Sequence, residues 1–158
     1  MITYELIGSN GDHLYFDNQQ YGILRDELSG ISGLPCEAET ISSPGQIGEI
    51  FTSIVVKPRT ISLHVAVLGH GRAELEERRR RLIRALNPIN GLSTFIWNQE
   101  DGSRMLIRCR PDSGFPNFEE GTAPDAMIWD AYLDLIADDP CYYADTEICL
   151  FYTFDDSA

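Results

Sequence analysis

The chain of 158 residues carries a formal net charge of -13, with 43% hydrophobic and 23% charged residues. A chain of this length can bury one substantial core without a metal or a disulfide, and its hydrophobicity is far from that of disordered chains. The negative charge opposes binding to nucleic acid and to anionic lipid, since both depend on clustered Lys and Arg displacing counterions. No specific nucleic-acid partner and no membrane partner is therefore expected.

In chain order, Ile2–Ile7 and Leu14–Asp17 are weak strand candidates. The opening residues carry neither a basic leader nor a long apolar stretch, and no window reaches the roughly 18 apolar residues of a membrane span. Synthesis in a cytoplasm without export by such a signal is expected. Residues Ser29 to Gly48, punctuated by Gly30, Gly33, Pro35, Pro44, Gly45 and Gly48, read as a long surface loop suited to contact between subunits. Ile50–Lys57 is another weak strand. The clearest one places Ile61, Leu63, Val65 and Val67 on one face and Ser62, His64 and Ala66 on the other, the alternation of a half-buried strand.

The segment Arg72 to Leu86 is the one helix expected. Glu74, Glu76 and Glu77 occupy its early turns and most of its arginines the later ones, complementing the helix dipole, and Asn87-Pro88 and Asn90-Gly91 stop it. Leu75, Leu82, Ile83 and Leu86 form the inner stripe. A β-hairpin follows, Ser93–Trp97 and Arg104–Arg110 about a turn containing Asp101-Gly102. Pro111 to Pro124, with Glu119 and Glu120, reads as a second long surface loop. Trp129, Ala131, Leu133, Leu135 and Ala137 then alternate with Asp130, Tyr132 and Asp134, and Ile148–Phe154 is a last weak strand. No internal repeat or interdomain linker is evident.

Chemical motifs are missing. Cys36, Cys109, Cys141 and Cys149 contain no Cys-x-x-Cys pair and read as reduced thiols, with Cys109 and Cys149 in strands as small hydrophobes. His13, His64 and His70 lack zinc-site spacing and read as solvated or hydrogen-bonded imidazoles. There is no phosphate-binding Gly-rich loop and no Gly-x-Ser-x-Gly elbow. Asp138-Asp139, Asp155-Asp156 and Glu119-Glu120 read as solvated surface acids, because glycosidase chemistry needs two acids set across a cleft. No cofactor, no metal and no enzymatic activity is expected.

The run Arg78-Arg79-Arg80-Arg81 opposes the charge of its surroundings: residues 72 to 86 carry +3, against -16 on the remainder. Two readings are open. The arginines form a subunit interface with an acidic surface, for which Glu119 and Glu120 are candidates, or they form a solvated face with pairs such as Glu74 with Arg78 and Glu76 with Arg80. Both readings can hold together.

Taken in order, Arg59-Thr-Ile-Ser-Leu-His-Val65, the Arg-rich helix closed by Leu86-Asn87-Pro88, the hairpin with Gly91-Leu92 and Asp101-Gly102, and the strand ending Ala137-Asp-Asp-Pro-Cys-Tyr-Tyr143 resemble the N-terminal domain of siphophage distal tail proteins, of the siphovirus tail component family. The resemblance covers roughly residues 10 to 145. It implies an α+β, mainly β fold: a β-sandwich-like body with one crossing helix and an extended hairpin or arm. It further implies a virion or prophage subunit at the tail tip, made in the host bacterial cytoplasm. Six copies would form a ring around an opening for DNA, joining the tail tube to tail-tip or baseplate proteins. Many family members continue into a galectin-like second domain, whereas residues 1–158 are expected to form the ring domain alone. The alternative is a carbohydrate-binding β-sandwich module using Trp97, Trp129, Tyr142 and Tyr143, residue types that stack on sugars but equally fill cores and interfaces.

Overall fold

The computed structural model describes residues 1–16, 20–112, 117–120 and 128–144. Its elements are β1 (Thr3–Ile7), β2 (His13–Tyr15), β3 (Tyr21–Ser29), β4 (Cys36–Ile41), β5 (Ile50–Val56), β6 (Arg59–Leu68), helix α1 (Arg72–Ala85), a 3-10 turn (Pro88–Asn90), β7 (Ser93–Asn98), β8 (Arg104–Pro111), β9 (Asn117–Glu120) and β10 (Ile128–Ala137). Eight strands form one sheet in the order β2-β1-β7-β8-β10-β6-β3, with β9 also paired to β10, and β4-β5 stand apart as a two-stranded sheet. The large sheet is antiparallel and curls into a nearly closed barrel. Its two four-stranded halves are joined at a short seam, where Leu135 and Ile136 of β10 meet Pro111 and Arg110 of β8. The fold is mainly β with one helix, as the sequence implies.

The seam is short because β10 changes partner along its length. Its end pairs with β8, and its beginning, Trp129 to Tyr132, pairs with β9. On its other edge β10 pairs with β6 along its whole length, from Ile128 opposite Leu68 to Ala137 opposite Arg59. Since residues opposite each other share a face, this register puts Ile61, Leu63, Val65 and Val67 inside with Trp129, Ala131, Leu133 and Leu135, all buried. Leu6, Leu14, Phe95, Ile107 and Cys109 complete the core from the other half. Each fully buried aliphatic side chain contributes about 1.5–3 kcal/mol relative to exposure. Burial pushes the Cys109 thiol up to about 12, which keeps it in the unreactive thiol form at neutral pH.

Helix α1 buries Leu75, Leu82, Ala85 and Leu86 in the same core; Ile83, expected on that stripe, is only half-buried. Its start has no side-chain cap at Gly71. Instead the Glu74 carboxylate accepts the His70 backbone N–H at 2.8 Å. At its other end the Ala85 carbonyl accepts from the Ser9 N–H at 2.9 Å and the Ser93 hydroxyl at 2.9 Å, satisfying a helix end that would otherwise lack partners. Gly8 permits this approach, since a Cβ there would lie 2.6 Å from the Ala85 Cα.

Three strands depart from expectation. β4 lies inside the stretch 29–48, which the sequence presents as a loop, and β9 lies inside 111–124. Both pair with the strand that follows them in the chain, and β4, exposed at every residue, shows no core-facing alternation. β3 is interrupted by a register shift between Leu24 and Ser29, which breaks its pattern in the same way. Cys149 and the expected strand Ile148–Phe154 lie outside the described residues.

Candidate interaction surface

The β4-β5 hairpin is the most exposed element. Every β4 residue is exposed, as are Ile50, Phe51 and Ile54 of β5, Ile41 at the end of β4, and Ile47 in the connecting turn. The turn Ser43-Pro44-Gly45-Gln46 is closed by the Gln46 N–H donating to the Ser43 carbonyl at 3.0 Å, with Gly45 at φ 83°, the conformation glycine adopts most readily after proline.

The two faces of the hairpin differ, and a bulge makes them so. Ala38 pairs with Ile54 and Glu39 with Ser53, but Thr40 pairs with Phe51, leaving Thr52 as the extra residue. Its hydroxyl donates to the Glu39 carbonyl at 2.8 Å. In a regular strand Phe51 and Ile54, three residues apart, would point to opposite faces; the bulge returns them to the same one. That face holds Cys36, Ala38, Thr40, Phe51, Ile54 and Val56, while the other carries Glu37, Glu39 and Ser53 together with Ile41, Ile50 and Val55. Isolated apolar residues at a surface are ordinary, but a contiguous row on a projecting hairpin marks an association surface.

The root of the hairpin is fixed by one side chain. Arg59, at the start of β6, is 2% exposed. Its guanidinium donates to the carbonyls of Gly30 at 2.7 Å, Ile31 at 2.8 Å, Gly33 at 2.5 Å and Pro140 at 3.1 Å, and it lies 4.9 Å above the Tyr142 ring. The Tyr142 hydroxyl donates to the Ile31 carbonyl at 3.0 Å. The segment leading into β4 and the Asp-Pro-Cys-Tyr segment after β10 are thus tied to one guanidinium, whose rigid fork suits several acceptors at once. The sequence marks Arg59 only as a basic residue ahead of a strand; its burial could not be read there.

The four helix arginines separate. Arg78 donates to Glu74 and to the Leu68 carbonyl. Arg79 lies 3.6 Å from Glu76 and over the Trp129 ring, 5.1 Å from its centroid, so Glu76 pairs with Arg79 and not with Arg80 as expected. Arg81 grips Asp12 through two hydrogen bonds of 2.7 and 2.8 Å. Arg80 is exposed and makes no hydrogen bond or ion pair with another described residue. Glu119 and Glu120 sit on β9, opposite Asp130 and Trp129, on a strand and not in the expected loop.

The Arg81 hydrogen bond holds the Asp12 carboxyl below its ordinary value of 3.8. The folded-state pKa is depressed, so this pair stabilises above the unfolded value, and its contribution is lost as pH falls through the folded one. Asp12→Asn is expected to lower stability by about 0.5–1 kcal/mol near neutrality, the scale of a partly exposed pair. The difference from wild type should shrink as pH falls below 3.8 and close once the folded-state carboxyl is protonated. Thermal unfolding followed by circular dichroism across pH measures it, and a difference independent of pH would assign Asp12 another role.

On the outer sheet face, His64 is buried between two acids, with Nδ1 2.7 Å from Glu27 and Nε2 3.0 Å from Asp130, and it stacks on Tyr132 at 4.3 Å. It is hydrogen-bonded, one of the two states expected of it. The aromatics considered for sugar stacking are differently placed: Trp129 and Tyr142 are buried, Trp97 packs edge-on against Tyr142, and the Tyr143 hydroxyl donates to Asp139 at 2.5 Å. Two of the four are therefore unavailable as platforms. Among the described residues no group of three His, Cys, Asp or Glu is arranged to hold a metal ion, and no helix is long and apolar enough to cross a membrane.

Residues 17–122 match the family model described as phage tail protein RIFT-related domain. No curated protein matches the chain in sequence. Among solved structures the fold is similar to the Dit protein (gp 19.1) of phage SPP1, described as a paradigm of hub adsorption apparatus in phages infecting Gram-positive bacteria, with a TM-score of 0.66 at 18% identity over 91% of this chain and 52% of that one. It is also similar to a chain of the phage p2 baseplate in its activated conformation with strontium, with a TM-score of 0.66 at 11% identity over 85% of this chain and 43% of that one. The same baseplate with calcium gives a TM-score of 0.65 at 11% identity, with coverage of 85% and 43%. The chain spans about half the length of these structures.

Proposed function

The chain belongs to the phage tail protein RIFT-related domain family, and from that premise we propose that it is a non-catalytic structural subunit of a phage or prophage tail. Copies of it close into a ring, a hexamer, at the distal end of the tail, and the ring joins the tail tube to tail-tip or baseplate proteins. The observation that carries this reading is the hairpin β4-β5, which projects an apolar row from a root fixed by Arg59. A ring needs a heterologous contact, in which one patch of each copy meets a different patch of the next. A rigidly rooted arm supplies one side of such a contact at low entropic cost, since little of it must be ordered on association. Within the arginine run, Arg80 is the residue whose charge is left for a neighbour, and Glu119 and Glu120 on β9 are further interface candidates.

Electron microscopy and light scattering of the purified chain test this reading. Closed rings with six-fold symmetry are expected. A strict monomer at all concentrations and salt conditions would remove it.

A further inference from the structure

The exposed hairpin carries two kinds of surface that find their complements at the far end of the same molecule. Near its tip the Glu49 carboxylate accepts from the Thr40 hydroxyl at 2.6 Å, and Thr40 lies opposite Phe51 on the apolar face. Beside it are the exposed Phe51 and Ile54. Helix α1 presents Arg80 without a partner among the described residues and Arg84 in a loose 3.5 Å contact with Glu77, both side chains of that pair more than 60% exposed. Just beyond the helix, Ile89 is 87% and Leu92 52% exposed. An acidic and apolar arm therefore has a basic and apolar counterpart.

The two surfaces belong to different ends of the fold. The arm is rooted where β6 begins, at Arg59, and the helix starts after β6 ends, at Leu68. Ten residues of strand span roughly 33 Å, and the root of the arm is held by the four Arg59 hydrogen bonds. Complementary patches at opposite ends of one rigid body satisfy each other between copies, which is the geometry of a head-to-tail contact.

We propose that the β4-β5 arm of one copy docks on the surface formed by α1 and the following 3-10 turn of a second copy, with Glu49 facing Arg80 and Arg84, and Phe51 and Ile54 covering Ile89 and Leu92. This rests on the ring reading and names the two faces that make the ring. Opposite charges set the register and orientation, and the apolar contact supplies most of the affinity.

Charge reversal in two separate chains tests the pairing. Variant one carries Arg80→Glu and Arg84→Glu; variant two carries Glu49→Arg. All three side chains are exposed, so both variants should keep the wild-type circular dichroism and melting temperature. Each alone opposes like charges at every contact, and its association constant should fall at least about tenfold at low salt, with a smaller fall near 1 M salt where the screening length is about 3 Å. Mixed in equal amounts, the two variants pair a wild-type arm with a wild-type helix and a reversed arm with a reversed helix in alternation, so assembly should return in light scattering. Loss of assembly in each variant without recovery in the mixture would overturn the arm-to-helix pairing and leave the ring reading in place. Normal assembly of either variant alone would overturn it as well. A wild-type chain that never assembles would sink the ring reading, and this pairing with it.

Discussion

Phe51→Ser with Ile54→Ser is expected to leave the folded monomer as stable as wild type while shifting the assembled form to monomer. Both side chains are more than half exposed, 58% and 61%, and neither belongs to the core cluster, so their replacement removes little that folding buries. Association loses much more. Burying these two residues against a neighbour contributes about 2–4 kcal/mol per contact on the scale of apolar burial, which weakens each contact by about thirty-fold to a thousand-fold. A ring multiplies the effect, because every copy uses the same arm. Sedimentation velocity on the variant, alongside its urea unfolding curve, separates the two quantities. Ring formation at the wild-type concentration would show that the arm points to solvent or to a different tail protein. A fall in unfolding free energy instead would show that the hairpin packs on its own body.

The bulge at Thr52 gives that prediction a control. Because Phe51 and Ile54 share a face only through the extra residue, Ser53, which pairs with Glu39 on the other face, tests the opposite side. Ser53→Ala should barely change assembly if the apolar row is the face that docks.

The same bulge explains what was legible in the sequence and what was not. β6 and β10 were plain, since ten residues of strict alternation on each face the core along a continuous register. The helix was plain from its acidic start, its arginines and the Asn-Pro stop, and the β7-β8 hairpin from Asp101-Gly102, with Gly102 at φ 85°. β4 was not, because none of its side chains enters a core and its hydrogen bonds come from β5 across a turn. β5 was expected only as a weak strand, since the inserted Thr52 shifts its alternation by one residue and both of its faces carry apolar side chains. The candidate surface was half visible. The arginine run announced itself by charge, yet three of its four members are engaged by Glu74, Glu76, Asp12 and the Leu68 carbonyl, and only the fold shows that Arg80 is the one left over. Asp12 lies 69 residues from Arg81, a separation at which no local rule pairs them.

Arg59→Ala is expected to be the most damaging single substitution outside the hydrophobic core. It removes donors from the carbonyls of Gly30, Ile31, Gly33 and Pro140 together; Ile31 keeps the Tyr142 hydroxyl, while a buried acceptor such as Pro140 that loses its donor carries the cost of its desolvation. A loss of about 3–5 kcal/mol is expected, the range for breaking a buried charged network, against a total of about 5–15 kcal/mol for a domain. Arg59→Lys keeps the charge but offers one ammonium where a planar fork served four acceptors, so it should recover only a minor part. Gly30→Ala attacks the same root from the other side: its Cβ would lie 1.8 Å from the Thr60 carbonyl oxygen, at a φ of +80° that alanine disfavours. The arm segment cannot sit on Arg59 unless residue 30 lacks a side chain. Both variants should therefore shift the urea midpoint by several tenths of the wild-type value with little change in slope. Hydrogen exchange should speed first at the arm root and around Tyr142, which share the guanidinium, before the β6 and β10 amides respond. A uniform loss of protection across all strands would instead make Arg59 a general core residue. The localised pattern is what a fastening between arm and body requires, and only a fastened arm can set the angle at which one copy meets the next.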